Sequence, residues 1–415
     1  MTLPIDSLAV VLPRYGRSLG GGAEALTKAL VEQIAPQCSR SRRLRRLEIW
    51  TTCAIDHRTW ENHFRPGSTL EEGILVRRFP VDPRNLDVFI RAELAMRDSR
   101  PLTVEEQLDW MANSVNSSAL YAHIAKHGKE FDALLFAPYL FATTFWGSQI
   151  YPDRSVIIPC LHNEHYAYQD IIRVMLREVQ GLIFNAHAEQ DLCRELCGET
   201  VAAKGVVVGM GFEQPTLALD EDAGAKLRAK YKLDTPYLLY SGRKETGKNL
   251  DLLINAFERF ECDCADTLQL VLIGSGEVHF RDALPSNVRD FGFVSEEEKR
   301  LLMRGALALV QPSVNESFSI VLMESWLEGA PSIVHAQCAV TRQHVVESGG
   351  GLYFSDESEL HEIMRLLLGA PELRDHLGAS GREHVKRVYD WEAVIDRLCE
   401  AFRHFKLGRT QATEE

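Results

Sequence analysis

The sequence predicts an α/β protein made of two doubly wound halves. Three observations carry this expectation. Short, continuous apolar runs recur along the chain rather than alternating ones, as strands buried on both faces require. Helical apolar periodicity intervenes between them. The whole pattern restarts after an acidic, turn-rich stretch, Asp220-Glu-Asp-Ala-Gly224. The length of 415 residues sets a prior of two or three domains, and 45% hydrophobic with 25% charged residues is the composition of a soluble globular chain able to bury a large core.

In the first half a strand at 8–12 runs into Pro13-Arg-Tyr-Gly-Arg-Ser-Leu-Gly-Gly-Gly22 and then a helical pattern over 23–34. Glycine-rich turns between strand and helix let backbone approach a phosphate, although a plain loop has the same composition. The spacing matches neither Gly-x-Gly-x-x-Gly nor a P-loop. Further strands are expected at 47–51, 74–79, 133–137, 156–159, 182–185 and 206–208, with helices at 103–128, 167–179 and 188–196. The charged, proline-flanked stretch 81–101 reads as an insertion outside the sheet.

The second half repeats the scheme. Strands at 237–240, 268–273, 289–293, 306–310, 332–334 and 352–354 alternate with helices at 249–260, 296–304, 319–327 and 359–368. The expected domains are 1–213, 214–390, and a terminal stretch 391–415 whose helix packs back on the first domain. Ligands of such sheets sit beyond the carboxyl ends of the strands, so two facing domains imply a cleft between those ends.

Composition excludes several classes. No apolar run approaches the ~20 residues of a membrane span, and the first residues lack the charged start and apolar centre of a signal peptide, so the expected compartment is cytoplasmic. A net charge of −13 disfavours general nucleic-acid binding. The run Arg40-Ser-Arg-Arg-Leu-Arg-Arg46 is a local exception that suits the inner face of an anionic membrane, an anionic acceptor, or a solvated loop. Nine cysteines, scattered without metal-like pairing, read as reduced thiols: Cys193 and Cys197 share a helix face, and Cys262 and Cys264 flank one aspartate. No metal site is expected.

Four features of the second half fall at strand ends. Ser241-Gly-Arg-Lys-Glu-Thr-Gly-Lys-Asn249 follows its first strand, and there Arg243 and Lys248 can clamp a diphosphate through charge-assisted hydrogen bonds. Gly274-Ser-Gly276 follows the second strand and Gly292-Phe-Val294 the third. Asn315-Glu-Ser-Phe-Ser-Ile-Val-Leu-Met-Glu324 follows the fourth, leading from a polar turn into a helix whose first N–H groups suit an anion, with Glu316 and Glu324 bracketing the turn. Taken singly, each also reads as an ordinary turn.

In order and spacing these motifs resemble the retaining glycosyltransferases of family 4. Gly-Arg-x4-Lys is followed by Ile-Gly-Ser-Gly, by Gly-Phe-Val-Ser with acidic residues after it, and by Pro-Ser-x-x-Glu-Ser-Phe-x7-Glu. The Gly-Gly-Gly-Ala-Glu24 and Tyr389-Asp-Trp-Glu392 stretches extend the resemblance, which is strong over 237–334 and looser before 210. It implies the GT-B fold, two facing Rossmann-like domains with an interdomain cleft. It also implies transfer of a hexosyl group from a nucleotide-diphosphate sugar to a glycan, lipid-linked or small-molecule acceptor, without a metal or other cofactor. Carried over by position, Arg243 and Lys248 would hold the diphosphate, Glu316 the hydroxyls of the transferred sugar, and Glu324 the ribose. In an ideal helix the eight residues from Glu316 to Glu324 rise about 12 Å, roughly the span from sugar to ribose. The amides of Phe318 and Ser319 would meet the diphosphate, with Ser317 a further donor-binding residue and Gly21 and Gly22 closing from the first domain. Gly292, Phe293 and Val294 would flank the base, and Gly274 would be a further donor-binding residue. His162, at a strand end, would lie near the donor sugar, or is simply a satisfied polar residue.

Three departures stand out. Ser319 replaces a usual glycine, which is expected to narrow the room beside the phosphate only slightly. Gln337-Cys-Ala-Val-Thr-Arg342 stands where many members carry a Gly-Gly-x-Pro-Glu loop, and Gly209-Met-Gly-Phe212 replaces Asn-Gly-Val-Asp. No carboxylate pair at glycosidase spacing is evident, so the resemblance favours front-face attack over a double displacement. The alternatives are a phosphorylase or nucleotide-sugar epimerase on the same scaffold, or a non-catalytic nucleotide-sugar-binding subunit.

Overall fold

The computed structural model describes residues 3–16, 21–40, 44–214, 221–260, 268–279 and 283–408. The front of the first glycine loop, the centre of the arginine run (41–43), Asp220, Cys262 and Cys264 lie outside the described residues. The chain divides into two compact units, Met1–Gly211 with Trp391–Glu415, and Phe212–Asp390.

The first unit is built on eight strands: β1 (Ser7–Leu12), β2 (Arg46–Thr52), β3 (Gly67–Glu71), β4 (Ile74–Phe79), β5 (Ala133–Phe136), β6 (Ser155–Ile157), β7 (Gly181–Phe184) and β8 (Gly205–Val207). They lie in the order β3-β4-β2-β1-β5-β6-β7-β8, and every neighbouring pair is parallel except β3 with β4. Leu8, Val10 and Leu12 of β1 pack into one apolar cluster, Ala9 and Val11 into another. Both faces of the sheet are therefore covered, which is why its strands read as continuous apolar runs. The Trp391–His404 helix supplies Val394, Leu398, Ala401 and Phe402 to the first cluster. Arg397 Nε donates to the Val208 carbonyl at 3.0 Å, and Gln180 Nε2 to that of Phe405 at 2.8 Å.

Two local features differ from expectation. The antiparallel edge strand β3 was not foreseen, because it is exposed and carries no apolar period. Its hairpin turn places Glu72 at φ 50° and Gly73 at φ 83°, the doubly left-handed geometry of a tight turn whose twist matches the flanking strands. The expected break at 220–224 instead opens the Glu221–Tyr231 helix, whose early acidic residues favour a helix start. The 81–101 stretch carries the Leu86–Arg97 helix, capped by the Asn85 side chain on the amides of Asp87 and Val88. Among the described residues no helix is long and apolar enough to cross a membrane.

The second unit holds β9 (Tyr237–Ser241), β10 (Gln269–Ile273), β11 (Val288–Asp290), β12 (Ala308–Gln311), β13 (Ser332–His335) and β14 (Gly351–Phe354). Their order is β11-β10-β9-β12-β13-β14, all parallel. Strand order therefore reverses between β9 and β12, and the loops leaving those two strands border a crevice. The unit's ends are pinned together, since the Phe212 N–H donates to the Tyr389 carbonyl at 2.7 Å and Phe212 bridges to Asp390.

The Ile320–Glu328 helix follows β12 and carries the candidate site at its head. Leu322, Met323, Trp326 and Leu327 bury it, and Gly329 ends it in left-handed conformation. The Pro371–Val388 helix packs against it through glycines. A Cβ on Gly378 would lie 2.0 Å from the Gly329 carbonyl oxygen, and one on Gly381 would lie 2.5 Å from the Trp326 ring. Gly378→Ala is expected to lower the unfolding free energy by about 1–3 kcal/mol, read as an earlier urea midpoint at unchanged slope. A variant as stable as wild type would contradict this close approach.

Candidate functional site

The site of the second unit gathers at the β9–β12 reversal. Lys248 ends a single 3₁₀ turn (Thr246–Lys248) after β9, and Glu316 sits in the turn after β12. Lys248 Nζ lies 2.6 Å from Glu316 Oε1, which also accepts from Gln311 Nε2 at 3.3 Å. Asn249 Nδ2 donates to the Pro312 carbonyl at 3.1 Å and joins the two turns a second time. The two charges assigned from sequence to different parts of a ligand are thus in direct contact. Arg243 is more open, its guanidinium 3.3 Å from Glu245 Oε2.

Phe318 and Ser319 set the direction of the helix. The Phe318 ring is 2% exposed and is enclosed by Phe212, His344 and Tyr389, with ring centroids 6.2, 5.2 and 5.2 Å away. Its side chain is an anchor, which leaves only backbone for a ligand. Ser319 has φ 69° and makes no side-chain cap to the helix. Beside the expected narrowing, the backbone adds a second consequence of serine here. The position needs the left-handed conformation that glycine adopts most readily, and serine holds it under strain. The 337–342 segment, which departs from the family's Gly-Gly-x-Pro-Glu pattern, runs into the Ala339–Ser348 helix behind Cys338.

Glu324, on the same helix, accepts from Lys299 Nζ at 2.8 Å through Oε1. Its Oε2 is buried without a hydrogen-bond partner among the described residues, an unfilled acceptor at the position assigned to a ribose. Gly274 has φ 120°, and a Cβ there would meet the Gly242 carbonyl oxygen at 2.1 Å, so only glycine fits. Gly292 follows at φ 68°, Phe293 is 83% exposed, and Val294 is buried.

Sequence reasoning passed over Lys244 and Lys299. Lys244 is flanked by the two cations that were noticed, yet its side chain is fully buried, with Nζ 2.7 Å from Asp290 Oδ1 and 2.9 Å from the Gly274 carbonyl oxygen. Lys299 sits one residue after the Ser295/Glu298 capping box. The side-chain partners of Lys244 lie 30 or more residues away and leave no local signal, and Lys299, which also meets Glu296 three residues earlier at 2.6 Å, reads in sequence as an ordinary helix-surface lysine. Among the described residues no group of three or more His, Cys, Asp or Glu is placed to hold a metal ion.

In the first unit Gly22 opens the Gly22–Arg40 helix after β1, and Gly21 precedes it. A Cβ on Gly21 would lie 2.1 Å from Glu24 Oε2, and Glu24 is paired with Arg14. His162 follows β6. Its Nδ1 lies 3.4 Å from Glu164 Oε1, which accepts from the Tyr139 hydroxyl at 3.0 Å. Behind it the buried Glu189 carboxyl accepts from the Leu161 amide at 2.7 Å and the Asn185 amide at 2.5 Å, bracing the ends of β6 and β7. Glu189 was also missed, for it reads as an ordinary helix residue.

Burial pushes the Glu189 carboxyl up from 4.5 to about 7, against the opposing pull of the Asn185 and Leu161 amides and of His162. The folded chain therefore holds a proton there that the unfolded chain has lost. This contribution to stability is present below about pH 4.5 and disappears as pH rises towards 7. At 1.36 kcal/mol per pKa unit the loss is about 3 kcal/mol. Glu189→Gln, which gives up one of the two acceptors, is expected to be less stable throughout but to lack this slope. Urea titrations between pH 4.5 and 7 with identical slopes in both proteins would refute the assignment.

Comparison with known proteins bears on the family and the fold. Residues 225–384 match the family model described as glycosyl transferases group 1. A GDP-mannose-dependent monoacylated alpha-(1-6)-phosphatidylinositol monomannoside mannosyltransferase of Corynebacterium glutamicum is 25% identical over 203 residues, 46% of this chain and 53% of that protein. An alpha-monoglucosyldiacylglycerol synthase of Streptococcus pneumoniae is 22% identical over 285 residues, 59% of this chain and 64% of that one. The chain thus spans about half to two-thirds of the length of these two curated relatives. HepE of Anabaena, crystallised with UDP-glucose, superposes with a TM-score of 0.67 at 16% identity, covering 95% of this chain and 99% of that one. The chain has the GT-B fold of such glycosyltransferases, and its second unit carries the match to glycosyl transferases group 1.

Proposed function

We propose that this protein is a retaining glycosyltransferase that moves a hexosyl group from a nucleotide-diphosphate sugar to a hydroxyl of a glycan, lipid-linked or small-molecule acceptor. The observation that carries the reading is the Lys248–Glu316 pair at the strand-order reversal, beside the head of the Ile320–Glu328 helix. The group 1 match over the same residues supports it, as do the mannosyltransferase and the alpha-monoglucosyldiacylglycerol synthase among its relatives. A nucleotide-sugar donor is further supported by the UDP-glucose bound to HepE.

In this reading the diphosphate meets Arg243, Lys248 and the backbone amides of Phe318 and Ser319. These groups stabilise the negative charge that develops on the leaving nucleotide, the task a divalent cation performs elsewhere, so no metal is required. As Lys248 turns to phosphate, Glu316 is released to the hydroxyls of the transferred sugar. Glu324, through its unfilled Oε2, accepts from the ribose. The acceptor hydroxyl attacks the anomeric carbon on the face the nucleotide leaves. Its proton passes to a leaving phosphate oxygen, and one C–O bond forms as the other breaks. From the first unit, His162, paired with Glu164, is the candidate for the donor sugar, and Gly21 and Gly22 are the candidates for the diphosphate.

Glu316→Gln is expected to reduce transfer by at least a hundredfold, about 3 kcal/mol of barrier, while nucleoside diphosphate affinity changes little. Loss of affinity by the same factor would contradict a role on the sugar. Activity assayed with excess EDTA is expected to match the untreated enzyme, and restoration by Mg²⁺ or Mn²⁺ of activity lost to EDTA would refute metal independence.

A further inference from the structure

We propose that Lys244 is the positioning residue of the nucleotide half of the site. Its buried ammonium joins the three strand-end loops that carry Arg243, Gly274 and Gly292 into one platform. This inference rests on the glycosyltransferase reading, since it takes those loops to hold the nucleotide.

An ammonium fully removed from water is costly unless every proton is satisfied. Lys244 meets that condition with acceptors from two other loops: Asp290 Oδ1 at 2.7 Å, the Gly274 carbonyl at 2.9 Å and the Gly276 carbonyl at 3.4 Å. Backbone bonds close the circuit. The Lys244 amide donates to the Ser275 carbonyl at 2.9 Å, and the Gly274 amide to the Gly292 carbonyl at 2.8 Å. The Gly292 amide donates to Asp290 Oδ1 at 2.8 Å. Asp290 thus receives the lysine and fixes the turn that leads to the exposed Phe293.

Simple packing would fill this position with an apolar side chain of similar volume, which is often as stabilising as a buried ion pair. What the ammonium adds is direction. It draws two carbonyls and a carboxylate from separate loops to one point, and so sets where Gly274 and Gly292 hold their backbones, at φ 120° and 68°. The neighbouring Arg243 is aimed from the same turn, its carbonyl held by the Tyr240 hydroxyl at 2.7 Å. Lys244 touches no reacting group in this arrangement and acts through the loops.

The test compares wild type with Lys244→Met and with the double variant Lys244→Met, Asp290→Asn, which removes both charges of the pair. UDP, GDP, ADP and dTDP serve as probes in calorimetric titration, with thermal melting alongside. The single variant is expected to lose both stability and affinity. The double variant should regain the melting temperature but still bind the preferred nucleoside diphosphate at least about tenfold more weakly than wild type. A double variant that binds as wild type does would overturn the inference alone, whereas wild type binding none of the four would overturn the glycosyltransferase reading with it. Hydrogen exchange on wild type gives a check that needs no variant. The bound nucleotide should protect 242–249, 274–276 and 290–294 together, and protection confined to 242–249 would count against a shared platform.

Discussion

The contact on which the second unit's site depends is the ion pair between Lys248 and Glu316. It spans the point where strand order reverses, joining the turn after β9 to the turn after β12. Exposed pairs of this kind contribute little to stability. This one is only 23% and 12% exposed on its two sides, and Gln311 adds a further bond to the same carboxylate oxygen. Its consequence is a balance of charge. A cation and an anion at the strand-order reversal neutralise each other in direct contact.

The frame around the pair is rigid for identifiable reasons. Phe318 is locked into an aromatic enclosure, Ser319 is held in a left-handed conformation, and Gly378 and Gly381 let a second helix press onto the far end of the Ile320–Glu328 helix. At that end the buried Glu328 receives both Arg300, at 2.6 Å, and Arg304, at 2.8 Å. The helix is therefore fixed at head and tail, and its first N–H groups have a defined direction. Binding groups placed on such supported elements lose less freedom when a ligand arrives. The first unit follows the same logic at β6 and β7, where Glu189 braces the strand ends beneath His162.

Much of this was legible in the chain. The strands announce themselves as continuous apolar runs because both faces of each sheet are covered, so local hydrophobicity reports burial directly. Glu316, Arg243 and Lys248 were singled out because their motifs are short and lie at strand ends, where parallel sheets keep their ligands. The edge strand β3 was not, since a solvent-facing strand paired on one side has no reason to be apolar.

The amino-acid sequence by itself determined the two-fold repetition of strand and helix, the placement of glycines where backbones approach closely, and the identity of the charged groups at the strand ends. Only the tertiary structure decided how those charges are spent. Lys248 faces Glu316, Lys299 faces Glu324, and Lys244 is buried against Asp290 across 46 positions of sequence. The physical reason is that apolar burial follows a local period, whereas an ion pair depends on two side chains brought together by strand order. A lysine reads the same in sequence whether it ends in water, on a phosphate, or beneath three loops.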